Sequence, residues 1–119
     1  MSLEEYFGDW LKVLDKKILY ETINILNTID SSNLCPNYND IFNCFTVCKL
    51  SDLKVVILGM SPYPQLNKAT GIAFGNKRET LDKDLSPSLQ IIKESVIDYE
   101  IPQNSVIFDP SFEDWEKQG

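Results

Sequence analysis

The chain has no histidine, one arginine (Arg78), three cysteines and no long apolar run in its 119 residues. Each scarcity removes a class of function. Three cysteines without histidine cannot supply the four ligands of a structural zinc site or the four thiolates of an iron–sulfur cluster. An odd cysteine count in a chain expected to be intracellular reads as reduced thiols. Cys44 and Cys48, four apart among Phe42, Phe45 and Val47, read as small core residues. With 11 Lys and Arg against 18 Asp and Glu, the net charge is −7. That disfavours tight independent binding to DNA, because Lys and Arg contacts to phosphate supply most non-specific affinity. No apolar run approaches the ~18 residues needed to cross a membrane. The start, Met1-Ser2-Leu3-Glu4-Glu5, is acidic and lacks the apolar core of a signal peptide. Both features predict a chain that works inside the cell and away from membranes. Repeats, low-complexity tracts and glycine-rich phosphate loops are also missing.

What is present is helical periodicity at both ends and one apolar run in the middle. Leu3, Phe7, Trp10, Leu11 and Leu14 recur in steps of three and four, which predicts a helix over 3–14. Leu19, Ile23, Leu26 and Ile29 predict a second over 19–29, ended by the turn residues Asp30-Ser31-Ser32-Asn33. Residues 35–39 form an irregular connection, and 76–85 read as a solvated excursion. Ser86-Pro87-Ser88-Leu89 opens a helix whose face carries Leu89, Ile92 and Val96. The stretch 98–111 is irregular. Ser111-Phe112-Glu113-Asp114 starts a last helix with an acidic first turn, and Gly119 is a natural stop.

Val55-Val56-Ile57-Leu58 is a short continuous apolar run ended by Gly59, the pattern of a strand buried on both faces in a parallel sheet. Gly59-Met60-Ser61-Pro62-Tyr63-Pro64 follows. Two prolines and a glycine in six residues force a stiff loop with a tyrosine in it. Such loops at the carboxyl ends of strands are where ligands bind in open α/β sheets.

These residues resemble the family 1 uracil-DNA glycosylases. Residues 55–64 are similar to that family's V-V-I-L-G-Q-D-P-Y-H, and Gly71-Ile72-Ala73-Phe74 to its G-L-A-F. Asp9-Trp10-Leu11-Lys12-Val13-Leu14, Asp40-Ile41-Phe42-Asn43-Cys44-Phe45, Ser86-Pro87-Ser88-Leu89 and Trp115-Glu116-Lys117-Gln118-Gly119 match further family segments, in the family's order. The resemblance implies an α/β, three-layer fold in which a parallel sheet is flanked by helices. The chain would be a single domain, 1–119, equal to the N-terminal portion of the family domain. It also implies a helix-like segment at 41–45. Because the sheet would be truncated, an exposed edge is expected, to be covered by a protein partner or a second copy.

The resemblance implies roles as well. Ser61 occupies the position of the water-activating aspartate. Met60 and Ser61 present backbone amides to a base, Tyr63 excludes the methyl of thymine, and Phe74 stacks on the extruded uracil. Tyr63 as a packing residue and Gly71–Phe74 as a buried strand remain the plainer alternatives. Ser86 and Ser88 stand where the family contacts phosphate, although Ser86 is also placed to cap its helix. No metal or organic cofactor is implied. The departures are Met60 for Gln, Ser61 for Asp and Pro64 for His, the last shared with poxvirus members. The family's later asparagine and histidine have no counterpart within residues 1–119. Serine carries no charge and is a weak base, so uracil excision is expected to be weak or lost. The alternatives are a non-catalytic replication accessory on the same fold, or a protein-interaction module with no nucleic-acid role, which the negative charge favours.

Overall fold

A computed structural model describes residues 1–97 and 107–119. Five α-helices lie among them: α1 (Leu3–Phe7), α2 (Lys16–Leu26), α3 (Cys44–Val47), α4 (Pro87–Val96) and α5 (Glu113–Glu116). Short 3₁₀ turns join them.

The first helix is shorter than its periodicity suggests. Ser2 and Glu5 form a reciprocal capping box at its start. Gly8 then takes φ +50° and ends α1, and the chain continues as a tighter 3₁₀ turn over Gly8–Lys12. The apolar spacing survives the break because both pieces serve one aromatic cluster. The Phe7 ring lies 5.4 Å from Phe42 and 5.7 Å from Phe45, and Trp10 lies 5.1 Å from Phe45. The Trp10 indole N–H donates to the Cys48 carbonyl at 2.9 Å, which satisfies its one polar atom.

The second helix starts and stops three residues earlier than expected. Asp15 caps it by accepting from the amides of Lys17 and Ile18, so the helix begins at Lys16. Leu19 is its only buried residue, and Ile29 lies beyond its end, exposed. The helix-like segment expected at 41–45 is displaced to Cys44–Val47. In that one-turn helix Phe45 meets the aromatic cluster while Cys44 is exposed, so Cys44 is not the core residue its neighbours suggest.

A second core forms around α4. Leu85, Leu89 and Phe112 are buried together, with Ile72, Phe74, Ile92 and Phe108 packed against them. Leu89 is fully buried, whereas Val96 at the far end of the same face is exposed. Phe112 takes φ +62° to start α5 and stacks on Trp115 at 4.5 Å. Of the irregular stretch 98–111, residues 98–106 lie outside those described, and 107–111 form no helix.

Residues 54–58 carry neither helix nor ladder. The amides of Lys54 and Val55 both donate to the Gly119 carbonyl at 2.9 Å, while Val56, Ile57 and Leu58 make no backbone hydrogen bond among the described residues. The Cα radius of gyration is 16.1 Å, above the ~13.5 Å of a compact domain this long. Among the described residues, no helix is long and apolar enough to cross a membrane.

Candidate functional site

The Gly59–Pro64 loop leaves the apolar run and is held from two sides. The Tyr63 hydroxyl donates to the Phe74 carbonyl at 2.9 Å, and the Cys35 thiol contacts the Pro64 carbonyl at 3.4 Å. Opposite, Gly71–Phe74 is a turn and not a strand. Gly71 has φ +81° and Phe74 φ +62°, and the Gly75 amide closes the turn on the Ile72 carbonyl. Gly71 is required there. A Cβ would stand 1.8 Å from the Asp40 carbonyl oxygen and 2.8 Å from the Asn43 Cβ. The Asn43 amide side chain donates to the Thr70 carbonyl and fixes the approach to this turn.

The two loops enclose an open cavity of about 450 Å³, within the range of small-molecule sites. Met60, Ser61, Tyr63 and Phe74 all border it, joined by Ser88 at the start of α4 and by Pro36 and Ile41. Among the described residues no charged side chain lines it. Among the described residues the amides of Met60 and Ser61 and the Ser61 hydroxyl have no intrachain partner. The wall therefore offers free donors, one aromatic face and apolar sides. That set suits a flat, neutral heterocycle with carbonyl groups.

Ser86 is apart from the cavity. It holds the N-cap position of α4 but makes no capping bond. Its hydroxyl instead accepts from the Asn76 side-chain amide at 2.9 Å, and its own amide donates to the Asn76 side-chain oxygen at 2.9 Å. Asn76 is 1 % exposed and also donates its backbone amide to Pro110 at 2.8 Å. The two serines expected at phosphate are thus divided: Ser88 is exposed at the cavity, and Ser86 is buried against Asn76. Asn76 was not visible as a structural residue, since it opens a polar stretch that reads as solvated. Pro36 gave no signal either, and Ile41 lies in a family-like segment but carried no site role. Among the described residues no group of three or more Cys, Asp or Glu side chains is placed to hold a metal ion.

Fold and cavity define a protein with an open pocket between two stiffened loops. Comparison with known proteins narrows this class. The chain is 41% identical over 88 residues to the uracil-DNA glycosylase of Francisella tularensis subsp. novicida, covering 71% of this chain and 36% of the relative. It is 36% identical over 108 residues to that of Francisella philomiragia subsp. philomiragia, covering 87% and 45%. It is 33% identical over 116 residues to that of Buchnera aphidicola subsp. Baizongia pistaciae, covering 93% and 50%. The chain is uracil-DNA glycosylase-like over most of its length, and it spans half or less of the length of these relatives. No family model and no solved structure matches it.

Proposed function

We propose that this chain carries the base-binding half of a family 1 uracil-DNA glycosylase domain. One observation carries the reading: Met60, Ser61, Tyr63 and Phe74, singled out by motif, border one uncharged cavity. In this reading 1–119 is one portion of a three-layer α/β domain, with Val55–Leu58 as a strand of its parallel sheet. The protein works inside the cell on uracil-containing DNA. An extruded uracil enters the cavity. The Phe74 ring stacks on it, the free amides of Met60 and Ser61 donate to its carbonyl groups, and the Tyr63 edge excludes a 5-methyl group. Ser88, and Ser86 if its bond to Asn76 opens, contact the phosphate backbone.

Hydrolysis of the glycosidic bond needs an oriented water and a negative charge near the sugar as positive charge develops there. Ser61 can orient water through its hydroxyl but supplies no charge. Charge and general-base contributions of this kind are each worth about 10²–10⁴-fold. The chain therefore binds better than it cleaves. A second reading, a non-catalytic replication accessory or protein-interaction module, is favoured by the net charge of −7.

Filter binding at low salt tests the proposal, with single-stranded oligonucleotides differing only in uracil or thymine. Preferential retention of the uracil strand, reduced by Phe74→Ala, is expected. Equal retention of both strands overturns the uracil reading, and no retention of either favours the protein-interaction module.

A further inference from the structure

Met60 borders the cavity, yet its side chain is 100 % exposed, so nothing in the fold covers it. Its backbone is held all the same. Gly59 lies against Ala73, where an added Cβ would stand 3.7 Å from the Ala73 Cβ. Four residues later the Tyr63 hydroxyl binds the Phe74 carbonyl. Met60 therefore projects from a backbone pinned on either side of it to the turn that carries Phe74, while the side chain itself is free to move.

A planar base stacked on Phe74 has only one face covered. Phe74 packs against the core of Leu85, Leu89 and Phe112 and also borders the cavity, so it serves as a fixed floor. The second face needs an apolar side chain that can move over it once the base has entered. Among the described residues, the exposed apolar side chains of the lining are Met60, Pro62 and Pro64. The proline rings are locked to the backbone. Methionine has three rotatable bonds and a polarisable sulfur that makes favourable contacts with aromatic rings. A side chain that packs on nothing also gives up no contact when it swings inward.

We propose that the Met60 side chain closes over the outer face of the bound base, which is then held between the thioether and the Phe74 ring. The inference rests on the base-binding reading above and adds a side-chain role to the amide already assigned to Met60. Because the contact forms after entry, its loss acts on dissociation more than on association.

The test measures the affinity and dissociation rate of a single-stranded uracil oligonucleotide for the parent, Met60→Ala and Met60→Leu. Met60→Ala should bind about two- to tenfold more weakly, with the change in the dissociation rate. Its unfolding midpoint should equal the parent's, because the side chain is fully exposed. Met60→Leu keeps the apolar bulk and should bind close to the parent. Hydrogen peroxide gives a second readout. It transfers one oxygen atom to the Met60 sulfur, leaves as water, and turns the thioether into a polar sulfoxide. With the thiols re-reduced, the oxidised parent should bind as weakly as Met60→Ala, and methionine sulfoxide reductase should restore it. Met60→Leu should be indifferent to peroxide, although it retains Met1. Unchanged binding by Met60→Ala, or by the oxidised parent, overturns the proposal and leaves the cavity reading in place. Equal losses on oxidation in the parent and in Met60→Leu assign the effect to other residues and overturn it too. A parent that holds uracil and thymine strands equally, or holds neither, overturns the cavity reading and this proposal with it.

Discussion

The Tyr63 hydroxyl donates to the Phe74 carbonyl at 2.9 Å, across the mouth of the cavity that both side chains line. The bond couples a loop stiffened by Pro62 and Pro64 to a turn whose Phe74 has φ +62°. Tyr63 thus sets where the Phe74 ring lies, beyond any contact it makes with a ligand. Tyr63→Phe keeps the ring and removes only the donor. It should cost about 0.5–1.5 kcal/mol by denaturant unfolding and weaken retention of uracil strands without admitting thymine. Tyr63→Ala should weaken retention and also reduce the discrimination between the two bases.

Asn76 makes a buried polar link of its own, binding both the amide and the hydroxyl of Ser86. Ser86→Ala removes the hydroxyl bond and keeps the amide bond, for about 1 kcal/mol. Asn76→Ala strands the buried Ser86 amide and hydroxyl together and should cost more, up to about 3 kcal/mol. Thermal or denaturant midpoints of the two variants check the order. Equal losses would mean that the amide bond contributes nothing.

Two glycines at positive φ separate backbone strain from close approach. At Gly8 (φ +50°) nothing lies within 4 Å of an added Cβ. Gly8→Ala therefore meets only conformational strain, roughly 1–2 kcal/mol. At Gly71 (φ +81°) the Cβ would overlap the Asp40 carbonyl oxygen. Gly71→Ala should lose roughly 3 kcal/mol or more and displace the turn that carries Phe74. Unfolding measurements on both variants, with uracil binding as a second readout, distinguish the two costs.

Asp109 gives the fold an acid-sensitive element. Burial opposes its charge, but the Ser111 hydroxyl at 2.6 Å, the Ser111 amide at 2.9 Å and the nearby Arg78 outweigh burial and lower its pKa from 3.8. As pH falls, the unfolded chain protonates this carboxyl before the folded chain does. The stabilisation is present above the ordinary aspartate range and is lost as pH falls through the lowered folded value. Asp109→Asn should flatten the dependence of the unfolding midpoint on pH below about 5. An unchanged slope would assign the acid sensitivity to other carboxyls.

Local chemistry made the cavity loop legible: Gly59, Pro62 and Pro64 leave few conformations, and the motif named the residues around them. What it could not reveal was distant in sequence. Ser86 before Pro87 reads as a helix cap, yet Asn76, ten residues earlier, takes its hydroxyl. Gly71–Phe74 is compatible with a strand until the tight contact with Asp40 turns the backbone. Helix ends moved for local reasons that compete with periodicity: Gly8 stopped α1 although its apolar spacing ran on, and Asp15 started α2 early. Cys44 sits in an apolar neighbourhood but is exposed, because a one-turn helix can present only part of its circumference and Phe45 takes the inner side.

Ser61 decides whether the cavity can support cleavage. It borders the cavity, and among the described residues its hydroxyl and amide have no intrachain partner and no charged side chain lies in the wall. A carboxylate introduced there would have no opposing acid in the lining to repel it. Its charge would lie beside any sugar attached to a base stacked on Phe74. Ser61→Asp should therefore raise uracil release from an oligonucleotide by about 10²–10⁴-fold. Uracil binding should change far less, because the Met60 and Ser61 amides and the Phe74 ring are untouched. Ser61→Asn, isosteric but neutral, should leave release at the parent level and separate charge from shape. A gain with Asn equal to that with Asp would assign the effect to loop geometry. No gain with Asp, in a protein that binds uracil strands, would mean that the cavity holds a base without presenting its sugar to residue 61, and the non-catalytic reading would then account for the protein.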